Sequence, residues 1–161
     1  MHACQQHKNY WFSRLDLIIA DFPDPEDTST ARLYSKEFYT LARNRLSENG
    51  FLATQSSSIY ITPKVFWSIN KTLSEVFNTA TAYQALVPSF GLWGFNIAGK
   101  NDSNIDQDLS TEIEGRELEY INQNTYQNLF DILPESQLVE KDTLRVNNLD
   151  NLILTSYYRE N

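Results

Sequence analysis

Two carboxylates stand three residues apart in a proline-stiffened stretch, where Asp21 and Asp24 are followed by Pro25. The pair directly follows a short apolar run, which predicts that both acids lie at the carboxyl end of a buried strand, where open α/β sheets bind ligands. One such carboxylate can take a proton from an ammonium group, and the other can hold a cationic end by a charge-assisted hydrogen bond. The pattern suits an amine substrate, although a turn at a strand end explains the same residues structurally.

The overall charge agrees with a small cationic ligand. The chain has 21 acidic against 13 basic residues and a net charge of −8, so a nucleic-acid partner is not expected. Asp27 is expected to extend the acidic region, although acidity also serves solubility alone. His2, Cys4 and His7 have no further clustered ligands, so no metal site is predicted. The single cysteine fits a reducing cytoplasm.

A strand and a helix are predicted on either side of the acidic pair. Residues 15–22 contain a continuous apolar run, typical of a strand buried on both faces of a parallel sheet. Residues 36–47 are predicted to form a helix, because Ser35 is a good N-cap and apolar residues recur at helical spacing. Asn49 and Gly50 are expected to stop this helix in the left-handed conformation.

The next elements complete an alternating order. A strand is predicted over 51–55, a helix opens at Thr62 and Pro63, and strand-like runs over 81–87 and 92–98 form a hairpin. Strands alternating with helices imply right-handed crossovers and a parallel sheet. We therefore predict an α/β fold: the second half of a Rossmann-like, methyltransferase-type parallel sheet with a terminal antiparallel hairpin.

The chain divides into three regions by composition. Residues 1–100 are predicted to be part of a catalytic domain, residues 101–113 a polar linker, and residues 114–161 a carboxy-terminal extension. Within the extension, 125–132 carries a weak helical pattern, whereas 149–158 fits either a strand or a short helix.

A nucleotide-binding half is not apparent in the sequence. None of the five glycines forms the glycine-rich turn that such a fold carries after its first strand. The first strands and their cofactor loop are therefore expected to be missing. The strand at 15–21 would then be an apolar sheet edge, which invites pairing with a missing amino-terminal half or self-association.

Several motifs occur in the order and near the spacing of one known family. Together they resemble the spermidine synthase (polyamine aminopropyltransferase) family, and the last of them is similar to the long bacterial branch, where a membrane-embedded region precedes the synthase domain. The segments that carry the resemblance are 16–25, 33–39, 55–58, 63–67 and 87–95.

The resemblance implies a function for individual residues. Asp21 matches the family's general base, Asp24 matches the acid that binds the diamine, and Gln55 matches a glutamine that contacts the amine. Phe90 lies where the family often has a tyrosine lining the diamine slot, and Trp93 is expected to line the same slot. Taken alone, a residue such as Gln55 is more often a polar strand end, and rings such as Phe90 and Trp93 are more often core residues.

The implied reaction moves an aminopropyl group from decarboxylated S-adenosylmethionine to putrescine. No cofactor or metal is expected, because the sulfonium is already an activated leaving group. The cosubstrate is expected to bind only with the amino-terminal half, so the chain is expected to be inactive alone. A non-catalytic polyamine-binding or interaction module is the alternative, and a methyltransferase-fold fragment with other chemistry is a third. A cytoplasmic location is expected, with membrane association through the missing amino-terminal region.

Overall fold

A computed structural model describes residues 14–102, 120–134 and 138–160. The remaining residues include His2, Cys4, His7 and most of the predicted linker, so the predictions made for them lie outside the described part of the chain.

A four-stranded mixed sheet is the centre of the fold. The strands are β1 (Leu15–Ala20), β2 (Leu46–Gln55), β3 (Thr79–Val87) and β4 (Gly91–Gly99), in the order β1-β2-β4-β3. Strands β1 and β2 are parallel, whereas β4 runs antiparallel to both β2 and β3. The prediction of a parallel sheet continued by an antiparallel hairpin is therefore confirmed.

Helices connect and cover the strands. The helices are α1 (Thr28–Ala31), α2 (Lys36–Arg45), α3 (Pro63–Ser74), α4 (Gln123–Leu129) and α5 (Ile153–Arg159), with 3₁₀ turns at Arg32–Tyr34 and Lys141–Thr143. Ser35 caps α2 as predicted, because its hydroxyl accepts a hydrogen bond from the backbone N–H of Phe38. The segment 149–158, which fitted either a strand or a short helix, contains helix α5.

The predicted left-handed stop at Asn49 and Gly50 is wrong. Helix α2 ends at Arg45, and the backbone becomes extended at Leu46. Asn49 and Gly50 therefore lie inside β2. Gly50 has a different reason to be glycine: a Cβ there would lie 2.8 Å from the carbonyl oxygen of Leu15. Its small size therefore permits close approach of β1 and β2, where the pairing register is irregular.

The main core lies between the sheet and its helices. It joins the 3₁₀ turn, α2, β2, α3 and α5, and its fully buried members include Tyr34, Tyr39, Leu52, Ile69 and Leu154. Burial of these side chains fixes the helices against the sheet, which in turn holds the strand ends in place.

Among the described residues, strand β1 is one edge of the sheet, as expected from the sequence. The prediction that this strand is buried on both faces is wrong, because Leu15 is 46% exposed, Leu17 53% and Ile19 73%. An exposed apolar edge strand is a template for pairing with further chain.

The carboxy-terminal segment is bonded into the body of the domain. Asn147 is fully buried, and its side-chain amide donates to the carbonyl of Ala31 over 2.8 Å. Its backbone N–H donates to the Thr72 hydroxyl, and its carbonyl accepts from the backbone N–H of Lys36. The segment that carries α5 is thus fixed to α1, α2 and α3.

Candidate functional site

The site is an open cavity of about 680 Å³ at the carboxyl ends of β1 and β2. Its walls come from the loop after β1, the end of β2 and the β3–β4 hairpin. The structure brings all five predicted site residues to this cavity, and they are Asp21, Asp24, Gln55, Phe90 and Trp93.

Asp24 is a half-buried carboxylate with three hydrogen-bond donors. Gln55 Nε2 lies 3.3 Å from its Oδ1, while Ser57 Oγ and Tyr158 Oη lie 3.2 and 3.4 Å from its Oδ2. Burial raises the pKa of Asp24, the three hydrogen bonds oppose that shift, and the nearby charge of Glu26 adds to it. The donors also fix the direction in which the carboxylate points. Asp21 is exposed and lines the same cavity.

The buried Gln55 amide is held on both sides. Its Nε2 lies 2.6 Å from the carbonyl oxygen of Phe22 and also contacts the Tyr34 hydroxyl. Its Oε1 accepts from the backbone N–H of Ser57 over 2.8 Å and from Trp93 Nε1 over 3.0 Å. The amide therefore joins the β3–β4 hairpin to the acidic loop, which is the loop after β1 that carries Asp21, Asp24 and Glu26. Through this bonding, Gln55 orients Asp24.

Ser57 adopts an uncommon backbone conformation, with φ at 68°. A non-glycine residue in this left-handed region costs on the order of 1 kcal/mol, which the surrounding structure must offset. Its hydroxyl contacts Thr62 Oγ1 over 2.8 Å as well as Asp24. The strained turn thus supplies a backbone donor to Gln55 and a side-chain donor to Asp24.

Tyr34 contacts the backbone of the acidic loop from the buried side. Its ring is fully buried, and its hydroxyl lies 3.0 Å from the carbonyl oxygens of both Phe22 and Pro23. Burial, followed by the charges of Asp24 and Asp21, raises the pKa of Tyr34, so the phenol stays protonated and remains a donor. The loop that carries both acids is therefore fixed through its own backbone.

Aromatic rings of the hairpin form the apolar wall. Tyr83 and Phe95 face each other across β3 and β4 and stack, with centroids 5.3 Å apart and planes 19° apart. The rings of Phe90 and Trp93 also lie 5.3 Å apart. Sequence reasoning missed Tyr83 and Phe95, although a strand alternation that places Trp93 at the cavity places Phe95 there too.

The expectation that Asp27 extends the acidic region is wrong. Its carboxylate caps α1 and accepts from the backbone N–H groups of Ser29 and Thr30 over 2.8 and 2.9 Å. Hydrogen bonds from Ser29 and Thr30 lower the pKa of Asp27 to about 2. Glu26 lines the cavity instead. The sequence signal for the cap is the Asp-x-x-Thr pattern of a capping box.

The site presents three carboxylates beside an aromatic wall. Asp21, Asp24 and Glu26 can accept hydrogen bonds from ammonium groups, and aromatic faces suit an aliphatic stem that carries positive charge. Across residues 14–102, 120–134 and 138–160, no group of three His, Cys, Asp or Glu side chains is arranged to hold a metal ion. In the part of the chain that the structure describes, no helix combines the length and apolar character needed to cross a bilayer.

Comparisons with known proteins agree on one family. Residues 1–109 match the family described as spermine/spermidine synthase domain. Polyamine aminopropyltransferase 2 of Ralstonia nicotianae is 31% identical over 145 residues, which cover 90% of this chain and 27% of that protein. Polyamine aminopropyltransferase of Corynebacterium efficiens is 49% identical over 87 residues, which cover 53% of this chain and 17% of that protein.

A solved structure has the same fold. A spermidine synthase crystallised with the transition-state analogue AdoDATO is 25% identical, with a TM-score of 0.63 over 78% of this chain and 44% of that chain. The chain therefore spans 17 to 27% of the two curated relatives and less than half of this structural neighbour.

Proposed function

Because this chain belongs to the spermine/spermidine synthase domain family, we propose that it provides the amine-binding part of an aminopropyl transfer. Putrescine is the proposed acceptor, and decarboxylated S-adenosylmethionine is the proposed donor, bound by further synthase sequence. The observation that carries the proposal is that Asp21 and Asp24 line one cavity with the aromatic hairpin wall.

The two loop acids have different surroundings, which supports different functions. Asp24 is half-buried and held by three donors, so it is suited to bind one end of the diamine in a fixed direction. Asp21 is exposed and less constrained, so it is suited to accept the proton that the attacking amine must lose. Gln55 keeps Asp24 in position, and Phe90 and Trp93 contact the methylene stem.

The proposed reaction is a substitution at carbon. The neutral amine nitrogen attacks the aminopropyl carbon next to the sulfonium, a C–N bond forms and the C–S bond breaks. Both electrons of the C–S bond leave with sulfur, giving methylthioadenosine. The proton lost from the amine passes to Asp21, and the product is spermidine. The contribution of these residues is alignment of the amine and removal of its proton.

The test supplies the remaining synthase sequence. This chain, joined to or mixed with the cosubstrate-binding portion of a family member, is assayed for spermidine formed from putrescine and the decarboxylated donor. We expect turnover, with Asp21→Asn reducing it by roughly 100-fold or more, as for loss of a general base. Asp27→Asn is the matched control, since Asn caps a helix as well as Asp does.

The outcomes separate the candidate functions. Putrescine binding without turnover in the complemented protein would favour a non-catalytic polyamine-binding module. Methyl transfer from intact S-adenosylmethionine would favour other methyltransferase-fold chemistry. Equal activity in the Asp21→Asn and Asp27→Asn variants would remove Asp21 from the proposed mechanism.

A further inference from the structure

A tyrosine from the carboxy-terminal helix reaches the acidic loop. Tyr158 lies on α5, and its hydroxyl oxygen is 3.1 Å from Glu26 Oε1 and 3.4 Å from Asp24 Oδ2. Both carboxylates belong to the loop after β1: Asp24 is 134 positions and Glu26 is 132 positions before Tyr158 in the chain. One phenol thus lies between two of the three acids that line the cavity.

Helix α5 is held firmly enough to place this hydroxyl. Leu154 and Tyr157 are buried in the main core, and Tyr158 packs against the same cluster. After the helix, Glu160 forms an ion pair with Lys64 of α3 over 2.7 Å. The Tyr157 hydroxyl donates to the carbonyl of Thr143. These contacts lie outside the cavity, so the helix is positioned independently of any ligand.

We propose that Tyr158 is a positioning residue that bridges Asp24 and Glu26 and orients the Asp24 carboxylate for an amine, which makes the carboxy-terminal helix part of the amine site. The proposal deepens the proposed function and rests on it for the identity of the amine. A phenol has one proton and donates to one carboxylate at a time. An ammonium group that donates to one acid leaves the phenol proton available to the other, so both carboxylates stay satisfied.

The neighbouring charges determine the direction of the pH effect. The titratable groups around Asp24 are Glu26 and Asp21 on its own loop, Tyr34 on the 3₁₀ turn and Tyr158 on α5. Burial opposes ionisation of Asp24, and the hydrogen bond from Tyr158 favours it. Removal of that bond therefore raises the pKa of Asp24. As the pH is lowered, Asp24 is then protonated sooner, and amine binding that needs the ionised carboxylate is lost at a higher pH than in the unaltered chain.

The test is a carboxyl ¹³C NMR titration of Asp24 in this chain and in its Tyr158→Phe variant. We expect the Asp24 titration to move up by roughly half a pH unit or more when one of three hydrogen bonds is lost. The acid limb of putrescine binding, followed by calorimetry, should move with it. Tyr60→Phe is the control: it removes a phenol hydroxyl that bonds Gln84 Oε1 rather than an acid, and it should leave the Asp24 titration unchanged.

A reciprocal measurement needs no change at the tyrosine. Burial and the bonds to Glu26 and Asp24 raise the pKa of Tyr158 to about 12, so its ring Cζ resonance should titrate at lower pH in Asp24→Asn. Unchanged titrations of Asp24 and Tyr158 would overturn the bridge, and so would an equal shift of the Asp24 titration in Tyr60→Phe. The titrations of Asp24 and Tyr158 could also depend on each other in a chain that binds no putrescine. That outcome would support the bridge and count against the proposed amine function.

Discussion

Replacing Asp24 with asparagine should separate amine binding from folding. The neutral side chain can keep its neighbours: the Asn Oδ1 accepts from Gln55, and the Ser57 and Tyr158 hydroxyls can rotate to accept from the new amide N–H. The negative charge that would hold an ammonium group is lost. A charge-assisted hydrogen bond contributes about 1.5–3 kcal/mol, so putrescine should bind roughly 10- to 150-fold more weakly.

The same variant should not be less stable at neutral pH. Burial raises the pKa of Asp24, so the folded chain holds that proton more tightly than the unfolded chain does. The stability contributed by protonated Asp24 is present below the unfolded pKa, and it is lost as the pH rises through the folded pKa. Ionised Asp24 therefore opposes folding at pH 7, and a neutral asparagine removes that cost.

Two measurements check both halves of this prediction. Calorimetric titration with putrescine between pH 4 and pH 8 gives the affinity, and thermal unfolding in the same buffers gives the stability. In the unaltered chain, affinity should fall on acidification as Asp24 is protonated, and burial raises the pKa of Asp24 from its ordinary value. An Asp24→Asn chain with unchanged affinity would refute the reasoning, and so would an equal loss in Asp27→Asn.

Two further substitutions probe the scaffold. Gly94→Ala should lower the free energy of unfolding by about 1–3 kcal/mol, because the new methyl would meet the Phe66 ring at 2.6 Å and Ile59 at 2.8 Å. A denaturant titration measures this change, and unchanged stability would show that the Phe66 ring moves freely. Ile19→Lys should reduce self-association of the chain in sedimentation, because a charge blocks pairing at the β1 edge. Leu41→Lys, at an equally exposed site on α2, should not.

Local signals in the sequence account for much of the fold. The cap at Ser35, the Thr62–Pro63 opening of α3 and the short hairpin connection each depend on neighbouring residues, and each corresponds to an observed element. The acids at Asp21 and Asp24 follow β1 as predicted, because an apolar run that ends at proline is also a local pattern.

The misreadings have physical causes as well. Asn49 and Gly50 have the composition of a helix stop, but the carbonyl of Leu15 on the neighbouring strand decides what fits at Gly50. Sequence spacing does not reveal that contact. The charge of Asp27 favours a place in the acidic region, whereas its hydrogen bonds to the first turn of α1 satisfy the carboxylate locally.

The position of Tyr158 beside the acids could not be predicted. Its contact with Asp24 joins positions 134 residues apart and depends on how α5 docks against the core. A tyrosine near the end of a helix is ordinarily explained by packing. The tertiary arrangement alone brings its hydroxyl to the acids.

The Gln55 amide makes the hairpin and the acidic loop energetically dependent on each other. If β4 shifts enough to break the bond between Trp93 and Gln55, an indole N–H and an amide oxygen lose their partners beside the cavity. The same shift loosens the amide that steadies Asp24. A ligand that enters by displacing the hairpin would therefore meet a less well-oriented Asp24 carboxylate. When the Trp93 indole returns to the Gln55 amide, Asp24 would again be oriented toward the bound ligand.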